Sequence, residues 1–140
     1  MSFDANCFYC SKNQDLDSLM IKICDLDVST VYLFKEQTYS GRCNVVYKEH
    51  KSEISDLTEE EAAAFINDAR KVAKAIHKAF NPDKVNYGAF ADTMKHLHLH
   101  IVPKYEGSTS WGKTFEMNPQ KVYLSDEEYL NLIEKINSNL

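Results

Sequence analysis

The sequence predicts an α+β fold, a five-stranded, mostly antiparallel sheet with one long and one short helix. Three observations predict it. Runs rich in β-branched and aromatic residues lie before and after one long run with helical apolar spacing. Two Ser/Thr-x-x-Glu capping boxes, at Thr58 and Ser125, mark helix starts. The order strands, long helix, strands, short helix lacks the regular alternation that a parallel sheet requires.

The elements follow in chain order. Residues 17–24 read as a strand, and so do residues 28–34, with a tight turn at Asp25-Leu26-Asp27 pairing them as a hairpin. Tyr39-Ser40-Gly41 is a break, and residues 43–48 form the third strand. At Thr58-Glu59-Glu60-Glu61 the period changes: a capping box and an acidic first turn open a helix. Its apolar stripe runs Ala62, Phe65, Ile66, Ala69, Val72, Ala73, Ile76 and Phe80, and Asn81-Pro82 ends it. Residues 85–90 read as the fourth strand, and residues 96–102 as the fifth, ended by Pro103. Residues 106–110 are a polar loop, with Trp111 beside it as a candidate cover for a ligand. Ser125-Asp126-Glu127-Glu128 opens the terminal helix.

With 140 residues and no repeat or Pro/Gly-rich linker, one domain over residues 1–140 is expected. Sixteen Lys+Arg against twenty-one Asp+Glu give a net charge of −5, which removes the broad basic footprint that duplex nucleic acid requires. A small phosphate ligand needs only a local positive site. No apolar run approaches the roughly 20 residues of a membrane span. Met1-Ser2-Phe3-Asp4-Ala5-Asn6 lacks the basic and apolar segments of a signal peptide, so a soluble cytoplasmic protein is expected. In that reducing setting the four cysteines are not a disulfide framework, and Cys24 and Cys43, inside apolar runs, read as small core residues. His77, alone on the long helix, reads as structural.

The informative segment is His96-Leu97-His98-Leu99-His100-Ile101-Val102. Alternate residues of a strand face opposite sides, so Leu97, Leu99 and Ile101 belong to the core while three imidazoles line the other face. Neighbouring rings lie about 7 Å apart and the outer pair about 13 Å, too far for three collinear ligands to share one metal. A division of labour fits better: one ring braces, one attacks and one stabilises charge. Lys95 and Lys104 flank the strip as candidate phosphate partners. At the N-terminus, Cys7 and Cys10 are half of a tetrahedral zinc site, with His50 and His96 as candidates for the other half. Four protein ligands leave no open position, so such a zinc is structural.

His-Leu-His-Leu-His-Ile-Val resembles the signature of the histidine triad (HIT) family, and the likeness extends over roughly residues 7–105. Thr93-Met94-Lys95-His96 resembles the approach to the motif in the dinucleoside polyphosphate hydrolase branch. The resemblance implies a HIT-like fold, commonly a homodimer, and a nucleotidyl hydrolase or transferase. Such enzymes act at the α-phosphorus of nucleoside phosphoramidates, dinucleoside polyphosphates or related nucleotides. The middle histidine, His98 here, is the nucleophile, His100 contacts a phosphate oxygen, and His96 completes the catalytic strip. The Cys pair with His50 and His96 is similar to the zinc arrangement of galactose-1-phosphate uridylyltransferases and bacterial HIT proteins.

Several positions depart from the family pattern. Gly41-Arg42 stands where Gly-His is common, so Arg42 is a substrate-binding candidate that keeps charge without imidazole. Ala91-Asp92-Thr93 replaces a Gly-Gln-Ser/Thr run, and Thr93 keeps the hydroxyl for the leaving group. The acid or amide that would hold the ribose falls near Phe34-Lys35, and neither is equivalent; Tyr32, Leu33 and Phe34 are core or base-stacking residues, two of the three core. Two other functions fit the same residues. One is a non-catalytic nucleotide- or partner-binding module. The other is a zinc-dependent hydrolase with water activated by a His pair.

Overall fold

The computed structural model describes residues 3–140; the part of the signal-peptide expectation that falls on Met1 and Ser2 lies outside the described residues. Five strands form one sheet: β1 (Met20–Asp25), β2 (Ser29–Phe34), β3 (Cys43–Tyr47), β4 (Lys84–Gly88) and β5 (His98–Lys104). Their spatial order is β1-β2-β3-β5-β4, and every neighbouring pair is antiparallel. The helices are α1 (Phe8–Ser11), α2 (Gln14–Leu19), α3 (Glu59–Phe80) and α4 (Asp126–Asn137), with one 3₁₀ turn at Ile54–Asp56.

Strand periodicity divides the sheet. Val31, Leu33, Cys43, Val45, Leu99 and Ile101 face one way, onto the buried stripe of α3 and the inner face of α4. This is the larger core, and it holds Cys43 and partly Cys24, as expected. Tyr32, Phe34 and Val46 face the other way and pack with Cys7, Tyr9 and Leu16 of the N-terminal segment. The capping boxes close as the sequence predicts: Thr58 accepts from the Glu61 amide, and Ser125 from that of Glu128. Buried Asp68 ties α3 to the β1–β2 turn, accepting from the Val28 amide at 3.0 Å and the Ser29 hydroxyl at 2.6 Å.

Four expectations change, the first being that the fourth strand ends at Gly88, so residues 89 and 90 leave the sheet. Residues 17–19 are the end of α2, not strand; the Asn13 side chain caps that helix by accepting from the amides of Asp15 and Leu16, a signal that overrides the apolar run. The fifth strand begins at His98, because residues 91–97 bend along the sheet's rim before pairing with β3 starts at Val46 and His98. Pro103 does not end that strand. Beyond Ile101, β5 pairs only with β4, so a residue without an N–H is accommodated there.

Candidate functional site

The second face of the sheet carries a cleft of about 370 Å³. His98 and His100 project from β5, Asn44 from β3 and Phe34 from β2. Phe8 and Tyr9 wall one side, and residues 90–94 form the rim. The His98 and His100 rings meet edge-on with centroids 5.1 Å apart.

Hydrogen-bond chemistry assigns their tautomers. His98 Nδ1 lies 2.7 Å from the His96 backbone oxygen, which can only accept, so Nδ1 carries the proton and Nε2 keeps its lone pair. Arg42 can only donate; it reaches His100 Nδ1 at 3.2 Å, so the His100 proton sits on Nε2. One ring therefore offers an electron pair and its neighbour offers an N–H. Burial holds both imidazoles below their ordinary titration range. For His100, burial, then the Arg42 charge, then His98 push the value down to about 3.

Arg42 is itself fully buried. Its guanidinium donates to the Met117 carbonyl at 2.7 Å and the Glu116 carbonyl at 3.3 Å, and it stacks 4.2 Å from the centre of the Phe34 ring. It stands behind His100 instead of lining the cleft. Gly41 allows this placement: its φ of +94° turns the chain into β3, and a Cβ there would lie 2.6 Å from a Phe80 ring carbon.

His96 leaves the strip. Its Nε2 donates to the Tyr47 carbonyl at 2.6 Å, which turns the Nδ1 lone pair toward the N-terminal segment. There Nδ1 lies 3.4 Å from Cys7 Sγ, 3.5 Å from Cys10 Sγ and 3.2 Å from His50 Nδ1. Cys10 Sγ and His50 Nδ1 are 3.4 Å apart. The four donor atoms lie within 4.8 Å of one another. Tetrahedral Zn–S and Zn–N bonds give edges of about 3.4–3.6 Å between N and S, so the donor set fits a metal ion of that kind. His50 Nε2 faces an Asp4 carboxylate oxygen 4.0 Å away, beyond direct hydrogen-bond distance.

The remaining candidates divide. Thr93 lines the cleft. Lys95 is exposed and outside it. Lys104 is buried at the far end of β5, where its ammonium donates to the carbonyls of Ser110 and Lys113 and pins that loop. Trp111 does not line the cleft. Of the three β2 candidates, Phe34 is at the cleft, Leu33 is in the main core and Tyr32 is in the smaller one. Sequence reasoning missed Asn44, Tyr9 and Met20. Asn44 carries the one available signal, a carboxamide in the middle of an apolar strand.

The family described as HIT domain matches residues 20–107. The adenosine 5′-monophosphoramidase of Schizosaccharomyces pombe is 29% identical over 136 residues, covering 96% of this chain and 98% of that one. The adenosine 5′-monophosphoramidase of Saccharomyces cerevisiae is 28% identical over 108 residues, 74% of this chain and 65% of that one. A histidine triad protein from Bradyrhizobium japonicum superposes with a TM-score of 0.82 at 25% identity, covering 91% of this chain and 95% of that one. A zinc-bound histidine triad family protein from Mycobacterium smegmatis shares the fold, with a TM-score of 0.69 at 21% identity, covering 95% of this chain and 94% of that one. With a match across more than half its length, and with the His-x-His-x-His segment on the strand that faces the cleft, this chain belongs to the HIT family.

Proposed function

We propose that this protein is a nucleotidyl hydrolase or transferase of one domain. It acts at the α-phosphorus of a nucleoside phosphoramidate, dinucleoside polyphosphate or related nucleotide. The observation that carries the reading is the complementary tautomer pair. His98, its Nδ1 proton held by the His96 carbonyl, has a free lone pair on Nε2, and His100 beside it has an N–H to give.

His98 Nε2 attacks the α-phosphorus, a P–Nε2 bond forms and the bond to the amine or phosphate leaving group breaks. The leaving amine departs with a proton, for which the Thr93 hydroxyl at the rim is a candidate relay. His100 Nε2–H donates to a phosphate oxygen as charge builds. Water then cleaves the P–Nε2 bond, releasing the nucleoside monophosphate and restoring His98. Because burial holds His98 below its ordinary pKa, it is free base at neutral pH and needs no dedicated general base. The names of the two monophosphoramidase relatives favour a phosphoramidate as the first substrate to test.

Cys7, Cys10, His50 and His96 hold a structural zinc in this reading. When bound, the metal contributes cross-linking and no Lewis acid chemistry, since four protein donors leave no open position. That argument favours the covalent reading over a zinc-activated water. We further propose a cytoplasmic homodimer. Its support is the free edge of β4, beside a groove of about 460 Å³ with Ile66 and Tyr87 half exposed.

Rapid quench with a labelled nucleotide tests the chemistry. An acid-labile adduct on His98, absent in His98→Ala together with all turnover, is the expected result. Turnover stopped by chelation while the fold survives supports the metal-dependent alternative; binding without turnover supports a binding module.

A further inference from the structure

We propose that Asn44 and the Tyr9 hydroxyl form a hydroxyl-reading subsite in the floor of the cleft and set the sugar specificity of this chain. The proposal rests on the nucleotide reading above for what lies next to that hydroxyl.

Asn44 sits in the middle of β3, opposite His100 on one side and Tyr32 on the other. It has 0% exposure, yet its hydrogen bonding is incomplete. Nδ2 donates to Met20 Sδ at 3.3 Å, a weak acceptor, and Oδ1 has no partner among the described residues. A thioether cannot donate, so the free atom is the carbonyl oxygen. The Tyr9 hydroxyl donates to the same sulfur at 3.7 Å, and the Asn44 side-chain amide lies beside it. Two buried polar groups thus share one poor acceptor while an amide oxygen beside them goes unpaired.

A leucine at position 44 would fill the strand face at no polar cost, as Val46 does two residues on. An unsatisfied buried amide is expensive and calls for a cause. The ligand it fits follows from its chemistry. Asn44 and Tyr9 are neutral, and together they present one free acceptor and one poorly used donor. An alcohol hydroxyl both donates and accepts, so one hydroxyl satisfies both. A charged group would find no counter-charge beside Asn44 and Tyr9. Phe34, Phe90, Met94 and Met117 supply flat apolar wall for the rest of the ligand. Met20 lines the same cleft, and its unbranched side chain turns aside to yield its hydrogen bonds to the incoming hydroxyl. The subsite lies one strand from Phe34, whose ring walls the same cleft.

Calorimetry on the full chain tests it, with AMP, 2′-deoxy-AMP and 3′-deoxy-AMP as probes for wild type, Asn44→Leu and Tyr9→Phe. Wild type is expected to bind AMP at least about tenfold more tightly than one of the deoxy forms. Asn44→Leu brings that ratio within about twofold, and Tyr9→Phe, which keeps the packing ring, reduces it. Ligand-free Asn44→Leu melts no lower than wild type. Equal affinity for all three nucleotides, absence of AMP binding, or a lower melting point with the ratio unchanged overturns the proposal, the last marking Asn44 as purely structural. Discrimination without a His98 adduct defeats the covalent reading alone. An adduct without discrimination defeats this one alone.

Discussion

The His96 carbonyl oxygen accepts a 2.7 Å hydrogen bond from His98 Nδ1, while the His96 ring points into the Cys7–Cys10–His50 cluster. One residue therefore joins the Cys7–Cys10–His50 corner to the ring that lines the cleft. Tyr9, carried between the two cysteines, packs 5.3 Å from the His96 ring centre and 5.2 Å from that of His98.

Loss of the metal corner is expected to reach the cleft. Cys10→Ser should lower bound zinc from one per chain to a small fraction, measured by elemental analysis, and reduce the melting temperature by several degrees. Turnover should be reduced but not abolished, because Phe8, Tyr9 and the His96 backbone lose their anchor while His98 and His100 stay on β5. Full zinc occupancy in that variant would show that Cys10 is not a ligand.

The low His100 pKa gives acid lability a definite window. Folded His100 titrates near 3, while an unfolded histidine titrates at about 6.5. Between those values the unfolded chain binds more protons, so stability falls as pH drops from about 6.5 toward 3 and this loss is absent above 6.5. The effect is a few kcal/mol. Denaturant titrations of wild type and His100→Asn at pH 7 and pH 4.5 isolate it, with a smaller pH difference expected in the variant.

Gly41→Ala should cost about 2–4 kcal/mol, from the positive φ and the collision with Phe80. Urea unfolding measures the loss. The change also shifts Arg42, so the His100 ring resonances should move in NMR spectra.

Tyr87→Lys tests the proposed dimer. Tyr87 is 54% exposed on the edge strand, so the change should leave the monomer's stability within about 0.5 kcal/mol. Sedimentation should show a dimer in wild type and a lighter species in the variant.

Much of this molecule is legible in the order of its residues. The capping boxes at Thr58 and Ser125 act within one turn, so local spelling suffices to place α3 and α4. The two-residue period of Leu97, Leu99 and Ile101 against His98 and His100 separates core from cleft, since alternation is intrinsic to an extended chain. Even Cys7, Cys10, His50 and His96 were nameable, because few side chains offer soft or imidazole ligands.

Other features depend on strand pairing. Register places Asn44 opposite His100, and the turn at Gly41 sets Arg42 behind that ring instead of in the cleft. The bend before β5 sends His96 to the cysteines and away from its two neighbours. Sequence spacing reports which side of its own strand a residue takes. Which groups meet across strands, which ring nitrogen carries the proton and which amide is left unpaired are set by contacts between segments distant in the chain. Those contacts exist only once the sheet has closed over its core.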